Sequence, residues 1–386
     1  MEMSKERGGN RKVLLVDQVP EVNRKYTFSL ARALKRQGIN ITVCGVEEDL
    51  PFYQGVEYTP LFLNYSRKNG VLEKIKSYWK SWKSILGYCI ENEIDIVHVQ
   101  WYIFSPLDWY YHKKLKQKKV KIVTTIHDLL PFNKKIYDYH YHKLIYSHAD
   151  MVVNQARMNE ETLIKHFGVD KEKLIYIPHG HFMEYVEQAG KDQSCERLHI
   201  DRNRPVILFF GQIKKVKGVD VLIKAMRRVV ARYPEVLCII AGKVWKDNFS
   251  VYQELINSLN LSENIRTDIH YIPDEDIKYY FNAADIVALP YRQIYQSGVV
   301  QLAYAYEKPV VATTEGEFLT VVKDHETGLL VKSGSDDELA DAICWYLEDM
   351  NRANEMAKKG KEDLMVRLSW DTIAGEIADI YEKVEY

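Results

Sequence analysis

Residues 286–312 read Ile-Val-Ala-Leu-Pro-Tyr-Arg-Gln-Ile-Tyr-Gln-Ser-Gly-Val-Val-Gln-Leu-Ala-Tyr-Ala-Tyr-Glu-Lys-Pro-Val-Val-Ala. Four apolar residues stop at Pro290, a polar loop runs to Ser297-Gly298, an apolar helical run follows, and Lys308-Pro309 opens another apolar run. The spacing predicts strand, helix and strand, the repeating unit of a parallel sheet. A helix start leaves about four backbone N–H groups without intrahelical partners, and Gly298 has no side chain to keep an anion from them. The stretch therefore reads either as a phosphate-binding helix start or as an ordinary turn in which Ser297 is only a cap.

Outward from this stretch the same alternation recurs. Residues 206–210, 237–241, 310–312 and 329–331 read as strands, and 219–230, 252–259 and 337–347 as helices. The first half shows strand-like runs at 13–16, 39–44, 94–99, 122–126, 151–154 and 174–177, with a helix over 27–37. Such Val- and Ile-rich runs suit strands buried on both faces. Residues 186–204 are polar and aperiodic and read as a linker. The expected architecture is α/β: an N-terminal domain over 1–185, a C-terminal domain over 205–368, and a final segment over 369–386. Both domains are doubly wound and Rossmann-like. Ligands of such sheets lie outside the carboxyl ends of the strands, which places them in an interdomain cleft.

Composition narrows the class. The 386 residues contain no apolar run near the ~20 residues that span a bilayer. The charged N-terminus lacks the apolar core of a signal peptide, so a cytoplasmic chain is expected. Five scattered cysteines suggest neither a disulfide framework nor a zinc site. Net charge is −1, but residues 1–185 carry 28 Lys and Arg against 21 Asp and Glu, and the remainder 25 against 33. The halves are electrostatically different bodies.

The strand at 206–210 runs into Gly211-Gln212-Ile213-Lys214-Lys215-Val216-Lys217-Gly218, and a helix begins at Val219. Two glycines bracketing three lysines at a helix start supply cations where a diphosphate would lie. Paired with Ser297-Gly298 in the same sheet, this loop favours the phosphate reading of the opening stretch.

These segments, with Asp285 to Pro290, Lys308 to Thr313 and Thr327-Gly328-Leu329-Leu330-Val331, resemble the retaining glycosyltransferases of family four. So do Thr124-Thr125-Ile126-His127-Asp128, Ala149-Asp150-Met151-Val152-Val153, Ile177-Pro178-His179-Gly180 and the ending Ser369-Trp370-Asp371. The resemblance implies the GT-B fold and a donor held mainly by the C-terminal domain. It also implies a last helix that crosses back to the N-terminal domain. It places Lys217 at the diphosphate, on the loop that opens at Gly211, and Gln212 where many members carry arginine; Lys214, two residues on, can supply that missing charge. Ser297, Gly298 and Val299 fall on the loop that holds the distal phosphate, and Ile272 and Asp276 on the nucleobase turn. His127 falls beside the donor sugar, to position it. The implied reaction moves a hexosyl unit from a UDP-sugar or GDP-sugar to a hydroxyl with retention, without a metal or a resident cofactor.

The sequence also departs from that family. Ile294 and Leu302 stand where many members carry two glutamates, Thr320 stands at a third common glutamate, and Asp17-Gln18-Val19-Pro20-Glu21 replaces a glycine-rich turn. Gln296 and Gln301 are the candidates for replacement ribose partners. A catalytically silent relative that binds a saccharide or a partner enzyme therefore stays open as the alternative. A dehydrogenase is disfavoured, because neither half has a Gly-x-Gly-x-x-Gly turn after its first strand.

Leu72, Ile75, Trp79, Trp82 and Leu86 recur at helical spacing, with Lys74, Lys76, Lys80 and Lys83 elsewhere on the segment and Arg67 and Lys68 before it. A second basic cluster spans Lys113 to Lys121. Such a face suits an anionic membrane surface and a saccharide or lipid-linked acceptor, or simply packs on the sheet with its lysines solvated. Trp101, Tyr102, Trp109, Tyr110 and Tyr111 are candidates for stacking on an acceptor sugar. Nucleic acid is not expected, since the second half is acidic and no binding motif occurs.

Overall fold

In this computed structural model residues 11–18, 20–62, 70–131, 135–294 and 297–384 are described, the side chains of 20–23 excepted. The chain divides into two units, 1–180 with 368–386 and 181–367. Each is built on one wholly parallel sheet.

The first sheet contains β1 (Lys12–Val16), β2 (Asn40–Val46), β3 (Glu57–Phe62), β4 (Ile96–Val99), β5 (Lys121–Ile126), β6 (Met151–Asn154) and β7 (Leu174–Tyr176), in the order β3-β2-β1-β4-β5-β6-β7. The order reverses between β1 and β4, so the loops after these strands diverge to opposite faces and leave a crevice. Its apolar strands are buried on both faces: Val13 and Leu15 join one core, Leu14 and Val16 the other.

The helix expected over 27–37 spans Pro20–Arg36. Its apolar face (Leu30, Ala31, Ala33, Leu34) is covered by the last helix, Trp370–Lys383, through Ile373, Ala374, Ile377 and Tyr381. Each large aliphatic side chain buried here contributes about 1.5–3 kcal/mol. Ser369 caps that helix by accepting from Thr372 N at 3.1 Å, and Arg36 makes two bonds to Asp371, at 2.9 and 2.7 Å. Gly180 lies flat against the Trp370 ring, where an added Cβ would come within 2.6 Å of the indole.

The second sheet contains β8 (Val206–Phe210), β9 (Leu237–Ala241), β10 (Ile265–Asp268), β11 (Ile286–Leu289), β12 (Val310–Thr313) and β13 (Leu329–Val331), in the order β10-β9-β8-β11-β12-β13. Here the order reverses between β8 and β11. The two glycine-bearing loops of the sequence leave these adjacent strands.

Two expectations need revision. Residues 186–204 are not simply a linker, since helix Lys191–Arg197 packs against helix Asp274–Ala283, buries Cys195 and pairs Lys191 with Asp285. The amphipathic helix Val71–Glu91 does not use one continuous apolar stripe. Tyr78, Trp82, Ile85 and Cys89 are buried, whereas Val71 (73%), Leu72 (83%) and Trp79 (43%) are exposed. Its second half supports the sheet, and its first half reaches beyond the core.

Gly180→Ala is expected to destabilise the protein by about 1–3 kcal/mol, because the methyl must displace a packed indole. Urea denaturation checks this, and an unchanged midpoint would mean that Trp370 yields without cost.

Candidate functional site

Backbone proximity assembles the site of the second unit. Gly218 has φ +66°, and a Cβ there would lie 1.9 Å from the carbonyl oxygen of Pro290, so only glycine admits this approach. Arg292 N donates to Val216 O at 2.8 Å, and the Arg292 guanidinium grips both oxygens of Asp220 at 2.7 and 2.6 Å. The loop after β8 is thus tied to the loop after β11. Gly211 has φ +113°, and a Cβ there would stand 3.5 Å from Val299 Cγ2, so Gly211 lies beside the first turn of helix Gly298–Ala305.

Lys217 sits over the Tyr291 ring, its Nζ 3.6 Å from the centroid. Burial, and then neighbouring Lys214, push its pKa down to about 8. Gln212 is exposed and Lys214 half-buried on the same loop. Ser297 and Gln301 are both buried at 4% exposure, and Gln301 Oε1 has no hydrogen-bond partner among the described residues. The structure therefore brings Gly211, Lys217, Ser297, Gly298 and Val299 together. Gln296 lies outside the described residues. Ile272 is buried next to helix Asp274–Ala283, and Asp276 on that helix pairs with Arg197 at 3.3 Å.

Sequence reasoning missed Glu317. Its carboxylate accepts from Ser297 N at 2.8 Å, immediately before the helix start, and burial raises its pKa to about 7 against the lowering effect of that bond. The turn that carries it packs on the backbone of Ile294, since a Cβ on Gly316 would meet Ile294 O at 2.0 Å. A carboxylate thus stands beside one of the positions where the paired glutamates were missed. No motif announces it, because contact depends on a turn 20 residues away.

In the first unit, His127 directly follows β5 and is 8% exposed. It stacks on Trp101 at 5.0 Å with rings 6° apart, meets the edge of Tyr26 at 4.9 Å, and has Nε2 3.3 Å from Gln100 Oε1. Burial and the nearby His179 hold its pKa down to about 3, so the imidazole is neutral in ordinary buffers. A neutral ring orients a hydroxyl rather than attracting an anion. Of the aromatic candidates, Trp101 and Tyr102 lie at the β4 end, while Trp109, Tyr110 and Tyr111 belong to helix Ser105–Gln117.

Comparison with known proteins follows the same division. The family described as Glycosyltransferase Family 4 matches residues 24–181, and that described as Glycosyl transferases group 1 matches residues 191–363. Each unit is thus matched by a glycosyltransferase family. D-inositol 3-phosphate glycosyltransferase of Corynebacterium aurimucosum is 27% identical over 76% of this chain and 72% of its own length. Alpha-maltose-1-phosphate synthase of Mycolicibacterium smegmatis is 30% identical over 61% and 64%. Anabaena HepE, solved in complex with UDP, superposes with a TM-score of 0.74 at 18% identity, covering 96% of this chain and all of that one (100%). With neighbours of this kind, the two Rossmann-like units are those of a GT-B glycosyltransferase fold.

Two groups that titrate near neutrality flank one helix start. The Glu317 carboxyl gains a negative charge as pH rises through about 7, and Lys217 loses its positive charge through about 8, so both changes oppose an anion. Affinity for a diphosphate diester, which does not itself titrate here, is expected to fall between pH 6 and 9, each step contributing at most about one decade per pH unit. Calorimetry should show Glu317→Gln removing the lower step and Lys217→Arg, whose charge persists, removing the upper one. A flat profile in the unmodified protein would place the anion elsewhere.

Proposed function

We propose that the protein transfers a hexosyl unit from a UDP-sugar or GDP-sugar to a hydroxyl of a saccharide or lipid-linked acceptor, with retention of anomeric configuration. The carrying observation is the junction of the 211–218 loop with the Ser297-Gly298 helix start, under Lys217. In the reaction the bond from the anomeric carbon to the diphosphate oxygen breaks, and the acceptor oxygen bonds to that carbon. The acceptor proton passes to the departing phosphate, so no strong protein base is needed.

Negative charge grows on the leaving diphosphate. Lys217, Lys214 and the first-turn amides of helix Gly298–Ala305 are assigned to that charge, and fixed dipoles and cations of this kind lower a barrier without reorganising. His127, neutral and clamped, is assigned to orient the sugar. The likeness to HepE, whose structures include complexes with UDP and UDP-glucose, supports a uridine nucleotide as the first donor to try.

Calorimetric titration with UDP and GDP tests this reading, with Lys217→Ala expected to weaken nucleotide binding about tenfold or more. NMR of the product anomer then tests retention. No nucleotide binding at millimolar concentration would favour the silent relative instead.

The acceptor side of the reading rests on the first unit's surface. Val71, Leu72, Trp79 and Tyr110 are exposed, and Lys83, Lys113 and Lys114 lie 5.3 to 5.6 Å from the rings of Trp79, Trp109 and Tyr110. Tyr111 Oη donates to Trp79 O at 3.4 Å, joining helices Val71–Glu91 and Ser105–Gln117 into one face. Apolar side chains ringed by lysines fit an anionic lipid surface, which adds roughly 1 kcal/mol per basic residue close to it. Arg67 and Lys68 lie outside the described residues. Among those described, no helix is long and apolar enough to cross a membrane.

Co-sedimentation with anionic vesicles at low salt should show binding that high salt removes and that Leu72→Ser with Trp79→Ser weakens. Absence of binding would leave only a soluble acceptor.

A further inference from the structure

Lys217 is held in a way that suits a nucleophile as well as a cation. Its Nζ lies 3.6 Å from the centroid of the Tyr291 ring, and no carboxylate acts on it among the described residues. Tyr291 is buried at 1% exposure and has the Ser297 side chain beside its hydroxyl. One ring therefore links the amine to the start of helix Gly298–Ala305, and little more than the width of a phenol separates them.

That helix start is open to a solute. Gly298 is exposed, Val299 is half-buried, and a Cβ on Gly298 would meet nothing within 4 Å. Lys217 is itself half-buried, not enclosed. A neutral amine loses its electrostatic hold on the ring and can turn toward the opening.

The charge on this amine is weakly held. Burial, and then Lys214, bring Lys217 down to about 8. At pH 7 about a tenth of such an amine is neutral, against roughly one part in a few thousand for an ordinary lysine. The other ionisable groups nearby do not reverse this. Burial keeps Tyr291 un-ionised, Arg292 is paired with Asp220, and the Glu317 carboxylate accepts from Ser297 N.

We infer that Lys217 is a site of acylation by acyl phosphates, the phosphate docking on the amides of the helix start while Nζ attacks the acyl carbon. In that step the N–C bond forms, the C–O bond to phosphate breaks, and phosphate leaves with the electron pair. The proton shed by the nitrogen passes to solvent. The product is an uncharged amide, so the modification removes the cation assigned to the nucleotide diphosphate and turns the site off. The inference rests on the anion cradle of the glycosyl-transfer reading and adds a means of regulating it.

Incubation of the full chain with acetyl phosphate, with acetylation at each lysine followed by peptide mass spectrometry, tests it. At pH 7 Lys217 should react about tenfold or more faster than exposed Lys243 and Lys246, and saturating UDP or inorganic pyrophosphate should protect it. The ratio should fall as pH rises through about 7, where ionised Glu317 repels the reagent. It should fall again through about 8, where Lys217 is already neutral while an ordinary lysine still gains. Glu317→Gln should remove the first fall. UDP affinity should drop about tenfold once Lys217 is acetylated, and treatment of Lys217→Arg, which keeps the charge but offers no amine, should leave it unchanged. Should Lys217→Arg fail to fold, protection of the unmodified chain carries the test. Acetic anhydride is neutral and has no phosphate to dock, so its preference for Lys217 should be several-fold smaller. Equal rates at the three lysines, an undiminished preference with acetic anhydride, or no protection by pyrophosphate would overturn the proposal. UDP binding without selective acetylation sinks this inference alone, and pyrophosphate-protected acetylation without UDP binding sinks the nucleotide reading alone.

Discussion

The second unit's site depends on how closely Gly218 approaches the carbonyl of Pro290. With 1.9 Å between that oxygen and the place a Cβ would occupy, any other residue must push the loops after β8 and β11 apart. Because they stay together, Lys217 reaches the face of Tyr291, Arg292 spans back to Asp220, and Gly211 lies beside Val299. The same device recurs one strand away, where a Cβ on Gly242 would lie 1.9 Å from Gly211 O. Three neighbouring strands thus end in main chain packed on main chain. Under the proposed reading, an anion here would be met by amides that are hard to remove by substitution.

The two units solve burial of polar groups differently. In the first, His98, His112 and His127 are pushed down to about 3 and Asp108 up to about 7, in each case mainly by burial, so the imidazoles are neutral and the carboxyl is only partly ionised around neutral pH. Asp108 is held by Trp82, Tyr78 and the Phe104 amide, and His98 by Tyr381 and Thr125. In the second, Lys217 keeps a charge near neutrality because aromatic and peptide groups replace part of its hydration. A neutral hydrogen-bonded interior is suited to hydroxyls, and a desolvated cation beside free amides to phosphate. This chemical difference follows from side-chain environment, not from the sheets, which share one topology over six strands.

Much of the fold was legible because doubly buried parallel strands need uninterrupted Val and Ile, and those runs are plain at 206–210, 237–241 and 286–289. What escaped had weaker local signals. The edge strand β3 (Glu57–Phe62) is half-exposed and contains Pro60, which a central strand would not tolerate. Helix Pro20–Arg36 begins earlier than expected, at a proline suited to a first helical turn. In helix Val71–Glu91 periodicity marked apolar positions but could not say where the sheet ends beneath them. The lysine loop and Ser297-Gly298 were readable because strand, glycine and helix start are local. Glu317 was not, since its contact depends on which distant turn lies opposite.

His127 shows how far such dependence extends. One face of its ring is stacked on Trp101, Tyr26 makes a T-shaped contact with it, and Tyr26 is in turn set against Trp370 at 5.2 Å. Trp370 opens the last helix and is fixed by Gly180, whose missing side chain leaves the indole its place. The orientation of one imidazole thus rests on residues near both ends of the sequence. This gives the return of the C-terminal helix a role beyond covering the apolar face of helix Pro20–Arg36: it braces the wall behind a neutral histidine. Neutrality itself requires that wall, because water admitted beside the ring would restore its ordinary basicity. Packing of the chain terminus and protonation at the β5 end are therefore one physical arrangement.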